Sequence, residues 1–193
     1  MLRKSLLAVL VSGLMVTGVQ AADSQINGYL FGNVGQSETD LSDLEDMGLS
    51  TDEKATAYKV GAGVQLNRHI GVEFQYVDLG EVSADVPGLK AEIGAKGFGA
   101  NLVGSLPFDR FKVYGKVGYH QMESDWRVKL GGDTFAKGDD DSNVTSFAIG
   151  ATYALTPQFE LVAEFERYQD VGDEDSTGEA DVDLASIGLR YNF

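Results

Sequence analysis

The chain contains no cysteine, only three prolines, and half as many basic as acidic residues, 15 against 30. Without thiols there is no disulfide scaffold, no thiolate metal site and no cysteine nucleophile. A formal charge of −15 argues against nucleic acid as a partner, because phosphate binding needs clustered Lys and Arg. Beyond residue 21 there is no apolar run approaching the ~20 residues of a transmembrane helix. If that part of the chain lies in a membrane it must cross as a closed barrel, since only helices and closed barrels satisfy every backbone hydrogen bond in lipid.

One apolar run does exist, at the start. Arg3 and Lys4 precede a stretch from Leu6 to about Val19, which ends in the small-x-small sequence Val19-Gln20-Ala21. This pattern predicts a signal peptide over residues 1–21, cleaved after Ala21. Ser12, Gly13, Thr17 and Gly18 interrupt the run and weigh against a membrane anchor. The remainder, 22–193, has 193 − 21 = 172 residues and suits a single domain.

Twenty-four glycines and little helical periodicity point to an all-β chain. Alternation marks eight candidate strands: 26–36, 55–67, 70–80, 93–106, 111–124, 143–155, 159–169 and 182–193. Each is about long enough to cross a bilayer at a tilt, and the number is even, as bacterial barrels require. Short turns at Arg68-His69, Pro107–Arg110 and Thr156–Gln158 alternate with long polar connections near 37–54, 81–92, 125–142 and 170–181. Outer-membrane barrels place tight turns in the periplasm and long loops outside, so both termini are expected in the periplasm. A soluble Greek-key sandwich is the structural alternative, but it has no reason to keep this rhythm.

Period-two alternation assigns the faces. Val72, Phe74 and Tyr76 fall on an outer face with Glu73 and Gln75 inward; Phe159, Leu161, Ala163 and Phe165 are outward with Glu160, Val162, Glu164 and Glu166 inward. In the second, fifth and sixth strands Lys59, Lys112, Lys116 and Thr152 point in, opposite Tyr58, Val60, Val117, Tyr119, Phe147 and Ile149. The first strand is ambiguous, because Tyr29 and Phe31 oppose Ile26, Leu30 and Val34. Tyr58, Tyr76, Tyr119, Tyr153, Tyr191 and Phe193 lie near strand ends on the outer face, where amphipathic rings suit a headgroup boundary.

The last eight residues, Ser186 to Phe193, alternate in the same way and end on an aromatic ring. They resemble the assembly signal of outer-membrane barrels, with Ser186, Gly188, Tyr191 and Phe193 in its four specified places. Two further segments, Gly71-Val72-Glu73-Phe74-Gln75-Tyr76 and Ala151-Thr152-Tyr153-Ala154-Leu155-Thr156-Pro157, resemble the transmembrane domain of the OmpA/OmpX-like small outer-membrane β-barrels. The resemblance covers essentially the whole of 22–193. It implies an eight-stranded antiparallel transmembrane β-barrel in the bacterial outer membrane, in contact with lipid and lipopolysaccharide and delivered by periplasmic chaperones to the barrel-assembly machinery. Two-domain members append a peptidoglycan-binding domain after the barrel; ending at Phe193, this chain is expected to be a single-domain member and a monomer.

An eight-stranded barrel has an interior that side chains can fill. The inward set comprises Lys59, Glu73, Lys112, Lys116, Glu160, Glu164, Glu166 and Arg190, beside Asn101 and Thr152, so opposite charges can pair across the lumen. Buried charges persist when paired and hydrogen-bonded, so an internal polar plug is expected, with a narrow gated pore for ions or small solutes as the alternative. The family resemblance implies a lumenal gate in which one arginine exchanges carboxylate partners. Glu73 and Lys116 match its acidic and basic positions, but Val162 and Thr152 stand where the arginine and a second acid would fall, so Arg190 with Glu164 is the substitute expected here.

No cofactor or resident metal is expected. Acidic residues crowd the connections: Glu38, Asp40, Asp43, Glu45, Asp46, Asp52 and Glu53 in the first, Asp139–Asp141 in the third, and Asp170, Asp173, Glu174, Asp175, Glu179 and Asp181 in the fourth. Neither run has the spacing of an EF-hand, which leaves divalent cations bridging these acids to lipid phosphates. Enzymatic activity is not expected. His120 and Ser124 lie about 13 Å apart along one strand, too far for a nucleophile and its base. The functional expectation is a structural and surface-interaction barrel of the Gram-negative envelope.

Overall fold

The structure, a computed structural model, describes residues 26–39, 50–52, 54–86, 89–130, 133–173 and 178–193. Residues 1–21, expected to be the leader, lie outside them, as do Asp40, Asp43, Glu45, Asp46, Glu53, Glu174 and Asp175 of the acidic connections.

The described residues form nine strands: β1 (Asn27–Thr39), β2 (Ser50–Asp52), β3 (Lys54–Gln65), β4 (Ile70–Val86), β5 (Leu89–Phe108), β6 (Phe111–Leu130), β7 (Asp133–Ala154), β8 (Phe159–Asp173) and β9 (Gly178–Asn192). Eight of them close a ring in the order β4-β3-β1-β9-β8-β7-β6-β5, with β5 returning to β4, and the short β2 pairs beside β4. Every pairing is antiparallel. Closure is made by β1 and β9, from Tyr29↔Asn192 to Thr39↔Val182, so the terminal octet lies between β8 and β1. A closed ring leaves its long strands no free edge over the paired segments, which is what a backbone without water requires.

The two ends of the barrel differ. At one end three connections are tight, and two of them are held by local side-chain hydrogen bonds. Asn67 Oδ1 accepts from the backbone N–H of His69 at 2.8 Å and of Ile70 at 3.0 Å. Thr156 Oγ1 accepts from Gln158 N–H at 3.2 Å and Phe159 N–H at 3.0 Å. Between β5 and β6, Asp109 takes a left-handed backbone with φ 54°. Ile26 and Phe193 lie at this same end, where Phe193 N–H donates to Gly28 O at 3.0 Å.

At the other end the strands run further than alternation foretells. The connections expected near 81–92, 125–142 and 170–181 are largely β-hairpin: β4 continues to Val86, β6 to Leu130, and β7 begins at Asp133, so Asp139–Asp141 pair with β6 instead of forming a loop. The reason is solvation. Past the end of the apolar band a hairpin has no lipid face to match, so the sequence there carries no apolar period to read.

Where the band does exist, it follows the predicted faces. Leu30, Val34, Val60, Phe74, Phe98, Leu102, Val117, Phe147, Ile149, Leu161, Phe165, Ile187 and Leu189 are exposed on the outer wall, while Tyr29 and Phe31 resolve the ambiguity of β1 by turning inward. Tyr58, Tyr76 and Phe98 form a ladder at the hairpin end of the band, with ring centroids 6.4 and 5.0 Å apart. Phe159, Tyr191 and Phe193 form another at the turn end, 5.2 and 5.4 Å apart. At about 3.4 Å per residue and a tilt near 40°, the stretch from Phe111 to Tyr119 rises about 20 Å, close to the apolar band of membrane barrels.

The hairpin end is shaped by three β-bulges, in β4, β7 and β8. Gly80 of β4 has φ 78°, and a Cβ there would lie 2.5 Å from Thr56 O and 2.8 Å from the Ala55 Cβ. Gly80→Ala is therefore expected to cost about 1–3 kcal/mol, combining a disfavoured backbone with overpacking. A lowered urea midpoint for the folded barrel in lipid vesicles would register it; an unchanged midpoint would show that the bulge relaxes.

Candidate functional site: the lumen

Period-two geometry brings the inward charges of five strands to one place. Lys59 of β3 is fully buried between Glu164 and Glu166 of β8, hydrogen-bonded to Glu164 and 2.6 Å from Glu166 Oε2. Lys116 of β6 bridges Glu73 Oε2 at 2.5 Å and Glu164 Oε2 at 2.6 Å. Arg190 of β9 reaches Glu73 Oε1 at 3.1 Å and Glu160 Oε2 at 3.7 Å, and Lys112 lies 3.4 Å from Glu160 Oε1. Four cations (Lys59, Lys112, Lys116, Arg190) thus face four carboxylates (Glu73, Glu160, Glu164, Glu166), and 4 − 4 leaves no net formal charge in the network.

The pairing differs from the expected one in one respect. Arg190 partners Glu73 and Glu160, whereas Glu164 partners Lys59 and Lys116. Register explains this: Arg190 stands directly opposite Glu160 across the β8–β9 ladder, while Glu164 stands opposite Ser186, four residues further along the strand.

Three tyrosines complete the network: Tyr29, which stood on the ambiguous first strand, and Tyr114 and Tyr168, which escaped the sequence reading. Tyr29 Oη donates to Glu73 Oε1 at 2.8 Å, Tyr114 Oη to Glu164 Oε2 at 2.6 Å, and Tyr168 Oη to Glu166 Oε2 at 2.8 Å. Ser146 Oγ donates to Glu166 Oε1 at 2.9 Å. The Arg190 guanidinium also stacks 4.2 Å from the centroid of the Tyr29 ring. Multiple donors to each carboxylate are what make a buried ion pair tolerable, since the attraction alone does not repay desolvation. The signal was parity: Tyr168 shares the face of Glu164 and Glu166, and Tyr114 that of Lys112 and Lys116.

Large inward side chains need room in a narrow barrel, and glycine on the neighbouring strand supplies it. A Cβ on Gly150 would fall within the Tyr114 ring, and one on Gly99 within the His120 ring. The remaining candidates fall as follows. Asn101 and Thr152 are buried and inward. His120 is buried with Nε2 3.0 Å from Gln75 Nε2 and its ring 5.2 Å from that of Tyr168. Ser124 lies further along the same face of β6, buried. Of the terminal octet, Ser186 is buried in the lumen wall, where its Oγ accepts from Asn33 Nδ2 at 3.3 Å, while Tyr191 and Phe193 face outward.

The chain matches the family model described as the outer membrane protein beta-barrel domain over residues 6–193. Outer membrane protein A of Shigella flexneri is 26% identical over 190 residues, covering 97% of this chain and 54% of that protein. The chain therefore spans about half the length of this curated relative. Among solved structures, Neisserial surface protein A superposes with a TM-score of 0.61 at 17% identity, over 86% of this chain and 97% of the other. The attachment invasion locus protein of Yersinia pestis gives 0.55 at 13% identity, over 87% and 98%. Closed ring, apolar outer band, charge-matched lumen and a match along nearly the whole chain agree: the protein belongs to the outer membrane β-barrel family, in its small OmpA-like form.

Proposed function

We propose that the protein serves the bacterial envelope as a structural and surface-interaction barrel, with a lumen that does not conduct. The observation that carries this reading is the side-chain-lined interior: each charged side chain of the network is paired within it, and buried aromatic, aliphatic and uncharged polar side chains surround it. Tight turns, Ile26 and Phe193 lie in the periplasm, and the long hairpins stand outside, in the family's usual sense. The outer band contacts lipid and lipopolysaccharide, and Ser186, Gly188, Tyr191 and Phe193 present the assembly signal during insertion. Planar-bilayer recordings of the purified protein are expected to be silent, and a deletion strain to become sensitive to osmotic or detergent stress.

A narrow gated pore is the second reading. It is favoured by Arg190, which lies within 4 Å of two carboxylates, Glu73 and Glu160, and so has two partners between which to move. Stable unitary currents from the wild-type protein, altered in Arg190→Ala, would establish the pore and overturn the structural reading.

A further inference from the structure

On the hairpin side of the ion pairs the lumen holds a second layer of a different kind. Val77, Leu79, Met122, Val171, Val182 and Leu184 are buried there and pack as one group, with Tyr168 at its boundary with Glu166. Strands β4 and β8, which supply Leu79 and Val171, are four places apart in the eight-membered ring and so face each other across it.

Both strands bulge at this layer. In β4, Leu79 and Gly80 stand where β5 has Ala95 alone, and in β8, Gln169 and Asp170 stand where β9 has Asp181 alone. Each bulge contains a left-handed residue, Gly80 at φ 78° and Asp170 at φ 57°. A bulge bends its strand and re-aims the side chains beside it. Leu79 immediately precedes one left-handed residue, and Val171 immediately follows the other. The β4 bulge is also pinned: Ser37 Oγ donates to Leu79 O at 2.5 Å, and Asp78 Oδ1 accepts from Gly80 N–H at 2.9 Å.

We propose that this apolar layer, and not the ion-pair network beneath it, is the barrier that closes the lumen to ions. The inference rests on the reading of the protein as a non-conducting barrel and names the residues responsible. An ion entering the charged layer exchanges water for carboxylates, ammonium groups and hydroxyls. In the apolar layer the lining carries no charged group to replace its hydration shell, and the Ser37 hydroxyl there is already bonded to Leu79 O, so the layer acts as a hydrophobic constriction that excludes ions by shedding water. Opposed bulges place large side chains from facing walls at one depth.

The test compares two classes of variant of the full chain in planar bilayers bathed in potassium chloride. Lys116→Met/Glu73→Gln neutralises one pair of the network with little change in volume. Leu184→Ser/Met122→Ser opens the apolar layer, and Leu184→Asn makes it polar while keeping its bulk. Heat-modifiable gel migration establishes folding in each. The network variant is expected to stay as silent as wild type, and both layer variants to carry steady currents roughly tenfold or more above the wild-type baseline. Current through the network variant, or silence from heat-modifiable layer variants, would overturn the proposal. A conducting wild-type protein would sink the structural reading instead; this one would then stand if the layer variants raise the conductance and the network variant does not.

Discussion

Lys59→Met is expected to destabilise the folded barrel by about 3–5 kcal/mol, the cost of leaving a buried charge without its partner. Lys59 is completely buried and is the cation shared by Glu164 and Glu166. Glu164 keeps Lys116 and the Tyr114 hydroxyl. Glu166 retains only uncharged donors, Tyr168, Ser146 and Gln75. The loss should therefore fall on Glu166, and Lys59→Met/Glu166→Gln should recover more than half of it, because the uncharged amide accepts from one of the two hydroxyls through its oxygen and donates to the other through its NH2. Urea unfolding of vesicle-inserted protein, followed by Trp126 fluorescence and gel migration, measures both. A single variant within about 1 kcal/mol of wild type would mean that the lumen admits enough water to solvate Glu166.

Ile149→Arg is the second large effect, and its sign depends on the solvent. Ile149 is 64% exposed on the outer wall, midway along β7 between Thr145 and Tyr153. On a protein bathed in water, arginine at so open a position would change stability by no more than about 0.5 kcal/mol. At the midplane of a bilayer it should cost about 2–4 kcal/mol, falling toward zero for the same substitution at the ends of the band. Comparing Ile149→Arg with Thr145→Arg, four residues closer to the polar end of the same strand, separates depth from any local effect. Equal costs at the two sites would contradict the placement of the band.

How much of this was legible beforehand depended on whether a residue's neighbours matter. The outer face and most of the inner face follow from parity alone, because a strand within one sheet turns successive side chains to opposite sides. Lys59, Glu73, Lys116, Glu164, Glu166 and Arg190 all occupy the buried positions that alternation assigns them. β1 was ambiguous because both of its faces carry large apolar groups. Inward Tyr29 and Phe31 need partners that lie elsewhere in the chain: Glu73 for the Tyr29 hydroxyl, and Gly61 and Gly63 for the two rings. Strand ends were misplaced for a related reason. Hairpins beyond the apolar band have no lipid face to impose a period, so β6 and β7 continue past the predicted boundaries at Ser124 and Asn143 without a sequence mark.

By itself the sequence determined the fold class, the number of crossing strands, which residues face the apolar surroundings and which are confined within, since each depends only on local alternation and on turns closed by nearby residues such as Asn67 and Thr156. Only the tertiary structure decided who pairs with whom. The tilt of the strands and the stagger of the ring set the height at which each inward residue meets those across the lumen. That stagger gives Glu164 to Lys59 and Lys116, leaves Arg190 to Glu73 and Glu160, and brings Leu79, Met122, Val171 and Leu184 from separate strands into one apolar layer. Contacts between residues more than a hundred positions apart, such as Lys59 with Glu164, depend on the closure of the ring, which no local pattern encodes.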